Sequence, residues 1–127
     1  MIGLLQAERT RLVRFGMSGL CSTAIHTLVA TALFALLDAT PVAANAAAFL
    51  CATAFSYLAN TLWSFSSTVR TRNATRFLAV TLAGFVETML IARAAEALDA
   101  SRAMGVVAIA LLIPPTTFVL HRLWTYR

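Results

Sequence analysis

The chain has 127 residues, few enough for one domain, yet 60% of them are hydrophobic, only 12% are charged, and the mean hydropathy is +0.81. Those values exclude an ordinary soluble globule and describe an integral membrane protein. The net charge of +5 comes from arginines clustered between long apolar runs, which reads as topology-setting charge and not as a nucleic-acid surface.

Residues 1–12 form a short, partly apolar lead with Glu8, Arg9 and Arg11, expected as an interfacial helical turn. Between 13 and 37 the only formal charge is Arg14 at the edge. At about 1.5 Å per residue such a helix easily crosses a hydrocarbon core of about 30 Å. The basic lead resembles the start of an export signal, but the apolar run is too long for one and three more follow.

Asp38-Ala39-Thr40-Pro41 is a turn in which Thr40 caps the next helix and Pro41 takes its first position, where a missing N–H costs nothing. The second span, from about Val42 to Trp63, is rich in alanine, and small residues let helices approach closely in lipid. Spans one and two are expected as a tight hairpin.

Residues 64–76 are the extended polar stretch that divides the chain. Their Asn73-Ala74-Thr75 matches a glycosylation acceptor in form only, because the charge pattern keeps this loop cytoplasmic. The third span covers 77–98 despite Glu87 near its centre; Arg93 snorkels near its far end and pairs with Glu96 at i+3. After Asp99-Ala100-Ser101-Arg102, the fourth span runs from about Met104 to Trp124. Pro114-Pro115 is expected to kink it and free carbonyls near Ala110 and Leu111. Cys21 and Cys51 lie in apolar runs without metal-ligand spacing and read as buried thiols.

Trp124 follows Trp63 by 61 positions and Arg76-Phe77 follows Arg14-Phe15 by 62, which marks a duplicated unit. The fold read from this is an all-α integral membrane protein, with four transmembrane helices in two tandem hairpins. Repeat one covers about 13–65, the loop about 64–76, and repeat two about 76–127. Arg9, Arg11, Arg14, Arg70, Arg72, Arg76, Arg122 and Arg127 all fall on one side, which places that side and both termini in the cytoplasm. Two hairpins in series insert in the same direction, related by an axis along the membrane normal.

Two groups of residues could carry function. Near the cytoplasmic boundary lie Arg14, Phe15, Asn60, Trp63 and Phe65 in one copy, and Arg76, Phe77, His121, Arg122, Trp124 and Tyr126 in the other. Anchoring at the headgroup layer explains such residues in many membrane proteins. Here, however, both copies bring arginine, an amide or imidazole, and aromatic rings to one depth. Guanidinium groups bind phosphate through paired hydrogen bonds, and indole and phenol rings lie against sugar faces. The combination suits an anionic, glycosylated lipid. Arg14, Asn60, Arg76, His121 and Arg122 would hold its phosphate and headgroup, with Trp63, Trp124 and Tyr126 as the aromatic surface.

The second group is His26 and Glu87, the ionisable residues near the middle of helices. They are 61 positions apart and so read as equivalent. A carboxylate in hydrocarbon faces the bundle interior and pairs or takes a proton. Gly19 and Ser22 beside His26, and Ala83 and Gly84 beside Glu87, are small enough to let helices meet there. A His26 to Glu87 contact would be either a proton-sensitive gate or a structural tie. No Gly-rich phosphate loop, metal-ligand cluster or oriented triad is present, which argues against an enzyme, a metal, a cofactor or an ATP-driven pump.

These residues resemble the GtrA-like membrane proteins, whose first and third helices start on Arg-Phe and whose second and fourth close on Asn-Arg-x-Trp-x-Phe. Arg14-Phe15 with Gly16 and Gly19 matches the first element, and Arg76-Phe77 the third. Asn60, Trp63 and Phe65 match the second helix's ending, with Thr61 where Arg is expected; Arg122 and Trp124 match the fourth, with His121 for Asn and Tyr126 for Phe. The resemblance covers nearly the whole chain. It implies flipping of a polyprenyl-phosphate-linked monosaccharide from the cytoplasmic to the outer leaflet of a bacterial cytoplasmic membrane, for glycosylation of surface polysaccharide. It further implies membrane lipids as partners and admits a glycosyltransferase as another. A homodimer is expected because four helices enclose little room for a sugar. The alternatives are a membrane anchor for a polyprenyl-phosphate glycosyltransferase and, lower, a small-multidrug-resistance-type exporter. That exporter's first-helix carboxylate has no counterpart here, where His26 stands instead.

Overall fold

The computed structural model describes every residue, 1–127, as helices joined by short connections. Helix α1 spans Ile2–Leu37, and α2 spans Pro41–Ala59 and closes in a π-helical turn, Asn60–Ser64. Helix α3 spans Thr71–Ala97, and α4 spans Arg102–Leu120 and closes in a second π-helical turn, His121–Thr125. All four are long and apolar enough to cross a membrane, so the all-α, four-span architecture holds. The chain divides into two compact units, Met1–Val69 and Arg70–Arg127, each of which is one helical hairpin.

Two boundaries differ from the sequence reading. Helix α1 is one continuous helix of 36 residues, about 54 Å long, so the lead is the rigid outer end of span one and not a separate turn. Ala7, Glu8, Arg9, Arg11 and Leu12 are good helix formers, and Arg11 pairs with Glu8 one turn back at 2.7 Å. Helix α3 starts at Thr71, six residues ahead of Phe77, so Arg72 and Arg76 ride on the helix. Asn73 makes this start: its Oδ1 accepts the Arg70 N–H at 3.1 Å, and the side chain is buried. The triplet that mimics a glycosylation acceptor is therefore a helix cap.

The two hairpin turns are built alike. Asp38 (φ 48°) and Asp99 (φ 51°) take the left-handed conformation after α1 and α3, which aspartate tolerates better than most residues. An alanine follows in each, then Thr40 and Ser101 accept the N–H of Ala43 and Met104, each at 3.2 Å. The pattern Asp-Ala-Thr/Ser thus repeats at the tryptophan spacing.

In the first hairpin, Ala44, Ala48 and Ala52 form a stripe at every fourth residue and are 0%, 0% and 6% exposed. Ser22 donates to the Ala52 carbonyl at 3.0 Å, a bond that requires near contact between a side chain of α1 and the backbone of α2. That is the close packing alanine was expected to permit. In the second hairpin the close approach falls on glycine. A Cβ at Gly84 would meet Thr117 Cγ2 at 3.2 Å, and one at Gly105 would meet Ala95 Cβ at 3.5 Å. Gly19 was expected to serve in the same way, but nothing lies within 4 Å of a Cβ there; Ser18 and Ser22 make the contact instead.

Two other expectations, on the cysteines and on Arg93, are corrected. Cys21 and Cys51 are exposed and not buried, because the α1–α2 seam is filled by serine and alanine and turns both thiols outward. Arg93 and Glu96 form no ion pair; an exposed pair gains too little to hold two long side chains in one geometry. Helix α4 runs unbroken through Pro114 and Pro115. The prolines deny the Ala110 and Leu111 carbonyls their usual donors, while the Thr116 and Thr117 hydroxyls donate to the Leu112 and Ile113 carbonyls at 2.8 and 2.9 Å.

Gly84→Leu should force α3 from α4 and destabilise the protein by about 1–3 kcal/mol, read as thermal unfolding in detergent. Gly19→Ala, in open space, should be neutral or slightly stabilising, because alanine is the better helix former by roughly 1 kcal/mol.

Candidate functional site

The open end of each hairpin, where the π-helical turns lie, is closed by the same construction. Arg14 on α1 donates from Nη1 to the Trp63 carbonyl at 3.0 Å and lies over the Trp63 ring, 5.4 Å from its centroid. Arg76 on α3 donates to the Trp124 carbonyl at 2.7 Å and lies over that ring at 5.2 Å. The last carbonyls of a helix have no intrahelical donor and carry the negative end of its dipole, so a guanidinium there is stabilising twice over. The face of the indole adds a cation–π attraction.

The π-helical turns make this possible. Phe65 N–H donates to the Asn60 carbonyl at 2.9 Å, and Tyr126 N–H to the His121 carbonyl at 3.1 Å. These i→i+5 bonds hold each helix's last turn wide and leave the tryptophan carbonyl to the arginine. Beneath them, Phe15 packs edge-on against Phe65 with centroids 6.3 Å apart, and Ser18 bonds Ser64 at 3.2 Å. In the second hairpin Phe77 stacks on His121, with centroids at 4.5 Å and planes 13° apart, and His121 Nδ1 is bonded to the Thr125 hydroxyl at 3.0 Å.

This geometry separates residues the sequence grouped together. Asn60 and His121, expected at the headgroup, are 1% and 3% exposed and sit inside their hairpins. Asn60 donates to the Ser56 carbonyl and hydroxyl at 2.8 and 3.2 Å, and its Oδ1 is buried without a partner. His121 fills the same position with an aromatic ring. Arg122 is exposed within the second turn, and Trp63 and Trp124 are 41% and 44% exposed. Arg14 and Arg76 are partly exposed, and each spends one N–H on a carbonyl, leaving others to face outward.

A groove of about 580 Å³ opens beside the first of these closures, against Arg14 and Trp63. It also reaches Gln6, Arg9 and Thr10 on the outer end of α1. Sequence reasoning passed these three over because it took the lead for a separate turn. An unbroken helix would have placed Gln6, Thr10, Arg14 and Met17 on one face by their spacing of three and four.

The mid-helix residues each find a partner within their own hairpin. His26 Nε2 is 3.3 Å from Asn45 Oδ1, and the Thr116 hydroxyl is 3.4 Å from Glu87 Oε1. Neither requires the other for satisfaction. Their equivalence also needs revision. Buried Ser18 matches buried Val80, and Ser22 matches Gly84, each 62 positions on. On that register the counterpart of His26 is Thr88, and Glu87 lies about a third of a turn away.

The family described as "GtrA/DPMS, transmembrane domain" matches residues 14–126, from the first closing arginine to the tyrosine after the second π-helical turn. No curated protein and no solved structure matches the chain.

Arg76→Ala should cost about 1.5–3 kcal/mol of hairpin stability, the range for a hydrogen bond involving a charged group, measured by thermal unfolding of the purified protein. Arg76→Lys should lose less, since an ammonium can still reach the carbonyl but lacks the planar surface that lies on the indole. Equal loss in both would assign the effect to the stacked plane alone.

Proposed function

The chain belongs to the GtrA/DPMS transmembrane-domain family, a family linked to lipid-linked sugars, and from that premise we propose that it flips a polyprenyl-phosphate-linked monosaccharide between leaflets. The single observation that carries the reading is the arginine–tryptophan pair at the open end of both hairpins. A guanidinium beside an exposed indole offers a phosphate and a sugar the two surfaces they need, and an otherwise apolar chain offers the prenyl tail lipid-like surroundings.

The capture site is on the cytoplasmic side of a bacterial inner membrane, where the positive-inside rule puts the arginine clusters and both termini. In the first hairpin Arg14 meets the phosphate and Trp63 the sugar; in the second, Arg76 and the exposed Arg122 offer a phosphate the same surface, with Trp124 and Tyr126 for the sugar. Asn60 and His121 support them from inside the hairpins. Glu87 supplies the mid-membrane polar group that a passing headgroup needs, with Thr116 beside it. A second copy of the chain completes the enclosure, because four helices leave little room for a sugar.

The test uses the full chain in liposomes carrying a short-chain prenyl-phosphate-linked sugar. Protein should bring the headgroup within reach of a membrane-impermeant oxidant on the opposite face, and empty liposomes should not. Equal rates with and without protein would contradict flipping and leave the glycosyltransferase-anchor role. If Glu87 gates passage, Glu87→Gln should flatten the pH dependence of the rate; an unchanged pH profile removes the gate.

A further inference from the structure

We propose that the groove between the outer end of α1 and Trp63 is the entry site for the lipid substrate, with Arg9 as an added phosphate ligand. The inference rests on the lipid-linked-sugar reading and assigns the first contact to residues outside the repeated motif.

The groove's walls change character along one helix face. Gln6, Arg9 and Thr10 line its outer end, while Val13 and Met17 line the end nearer the span, with Arg14 and Trp63 between. From Gln6 to Met17 is about 16 Å of helix. Polar outside and apolar inside is the order in which a prenyl phosphate ester lying in the interface presents headgroup, phosphate and tail.

Charge singles out Arg9. Its neighbour Arg11 is taken by Glu8, and Arg14 is partly spent on the Trp63 carbonyl. Arg9 is exposed and makes no hydrogen bond or ion pair within the chain. No acidic residue lines the groove, so Arg9 and Arg14, whose Cα atoms lie about 7.5 Å apart along the helix axis, line it without a counter-charge. The phosphodiester of a prenyl-linked sugar brings one negative charge between them, which both arginines can share. Around it, the Thr10 hydroxyl has already given its proton to the Gln6 carbonyl at 3.0 Å and can only accept. The Gln6 amide both donates and accepts. That pair and the indole of Trp63 fit sugar hydroxyls and a sugar face, whereas a bare bilayer phospholipid would use the arginines alone.

The experiment is a binding titration of the full-length protein in nanodiscs of neutral lipid with farnesyl phosphate. Competing arms use farnesol, inorganic phosphate and phosphatidylglycerol. Arg9→Ala should weaken farnesyl phosphate about tenfold, the loss of one charge-assisted contact, and Arg9→Lys less. Arg127→Ala, which removes the same charge outside the groove, should leave the affinity unchanged. Farnesol and inorganic phosphate should compete poorly, since each lacks half of the ligand. Helical content of Arg9→Ala by circular dichroism should match the parent, as Arg9 holds nothing in place. If Arg9→Ala and Arg127→Ala behave alike, the groove assignment is overturned while the family reading stands. Equal competition by phosphatidylglycerol would overturn it in favour of a bilayer-lipid contact. No farnesyl phosphate binding by the parent protein would sink both.

Discussion

Each hairpin depends on one problem being solved at its open end: the last carbonyls of α2 and α4 need donors where no further helical turn supplies them. Where such a helix end lies in apolar surroundings no water replaces those donors, and an orphaned carbonyl is costly. Arg14 and Arg76 solve it from the neighbouring helix, reaching across to the tryptophan carbonyl and lying over its ring. Much of the surrounding structure serves this contact. The π-helical turns present the carbonyl, Phe15 and Phe77 fill the space beneath, and the serine–alanine and glycine seams set the helix separation that lets the arginine reach.

The same arginine is then structural and available to a ligand. One N–H is committed to a carbonyl, and the remaining donors are oriented by that commitment, so a phosphate meets a guanidinium that has already lost its rotational freedom. Preorganisation of this kind lowers the entropic cost of binding. It also means that removing Arg14 or Arg76 confounds stability with binding. Arg9 carries no such double duty.

The spans, the hairpin pairing and the duplication were legible because they rest on long apolar runs and on landmarks, Arg-Phe and Trp, that recur at a fixed distance. The alanine stripe at Ala44, Ala48 and Ala52 was legible for the same reason: composition and period agreed. What escaped was settled by single contacts. Composition does not say that Asn73 turns inward to cap α3, or that Cys21 and Cys51 fall on outward faces. An amide and an imidazole at the depth of the arginines made Asn60 and His121 look like headgroup ligands, whereas both side chains lie inside their hairpins. The repeated Asp-Ala-Thr/Ser turn was visible in the sequence, but it means little until Asp38 and Asp99 are seen to share a backbone conformation.

The two arginine–tryptophan contacts should be energetically real and equivalent. Double-mutant cycles on Arg14 with Trp63, and on Arg76 with Trp124, test this most directly, using leucine for tryptophan so that the backbone carbonyl remains. Both cycles should give a coupling of about 0.5–1 kcal/mol, the size of a partly exposed cation–π contact. Additive losses in both, within the few tenths of a kcal/mol expected of independent sites, would contradict the account.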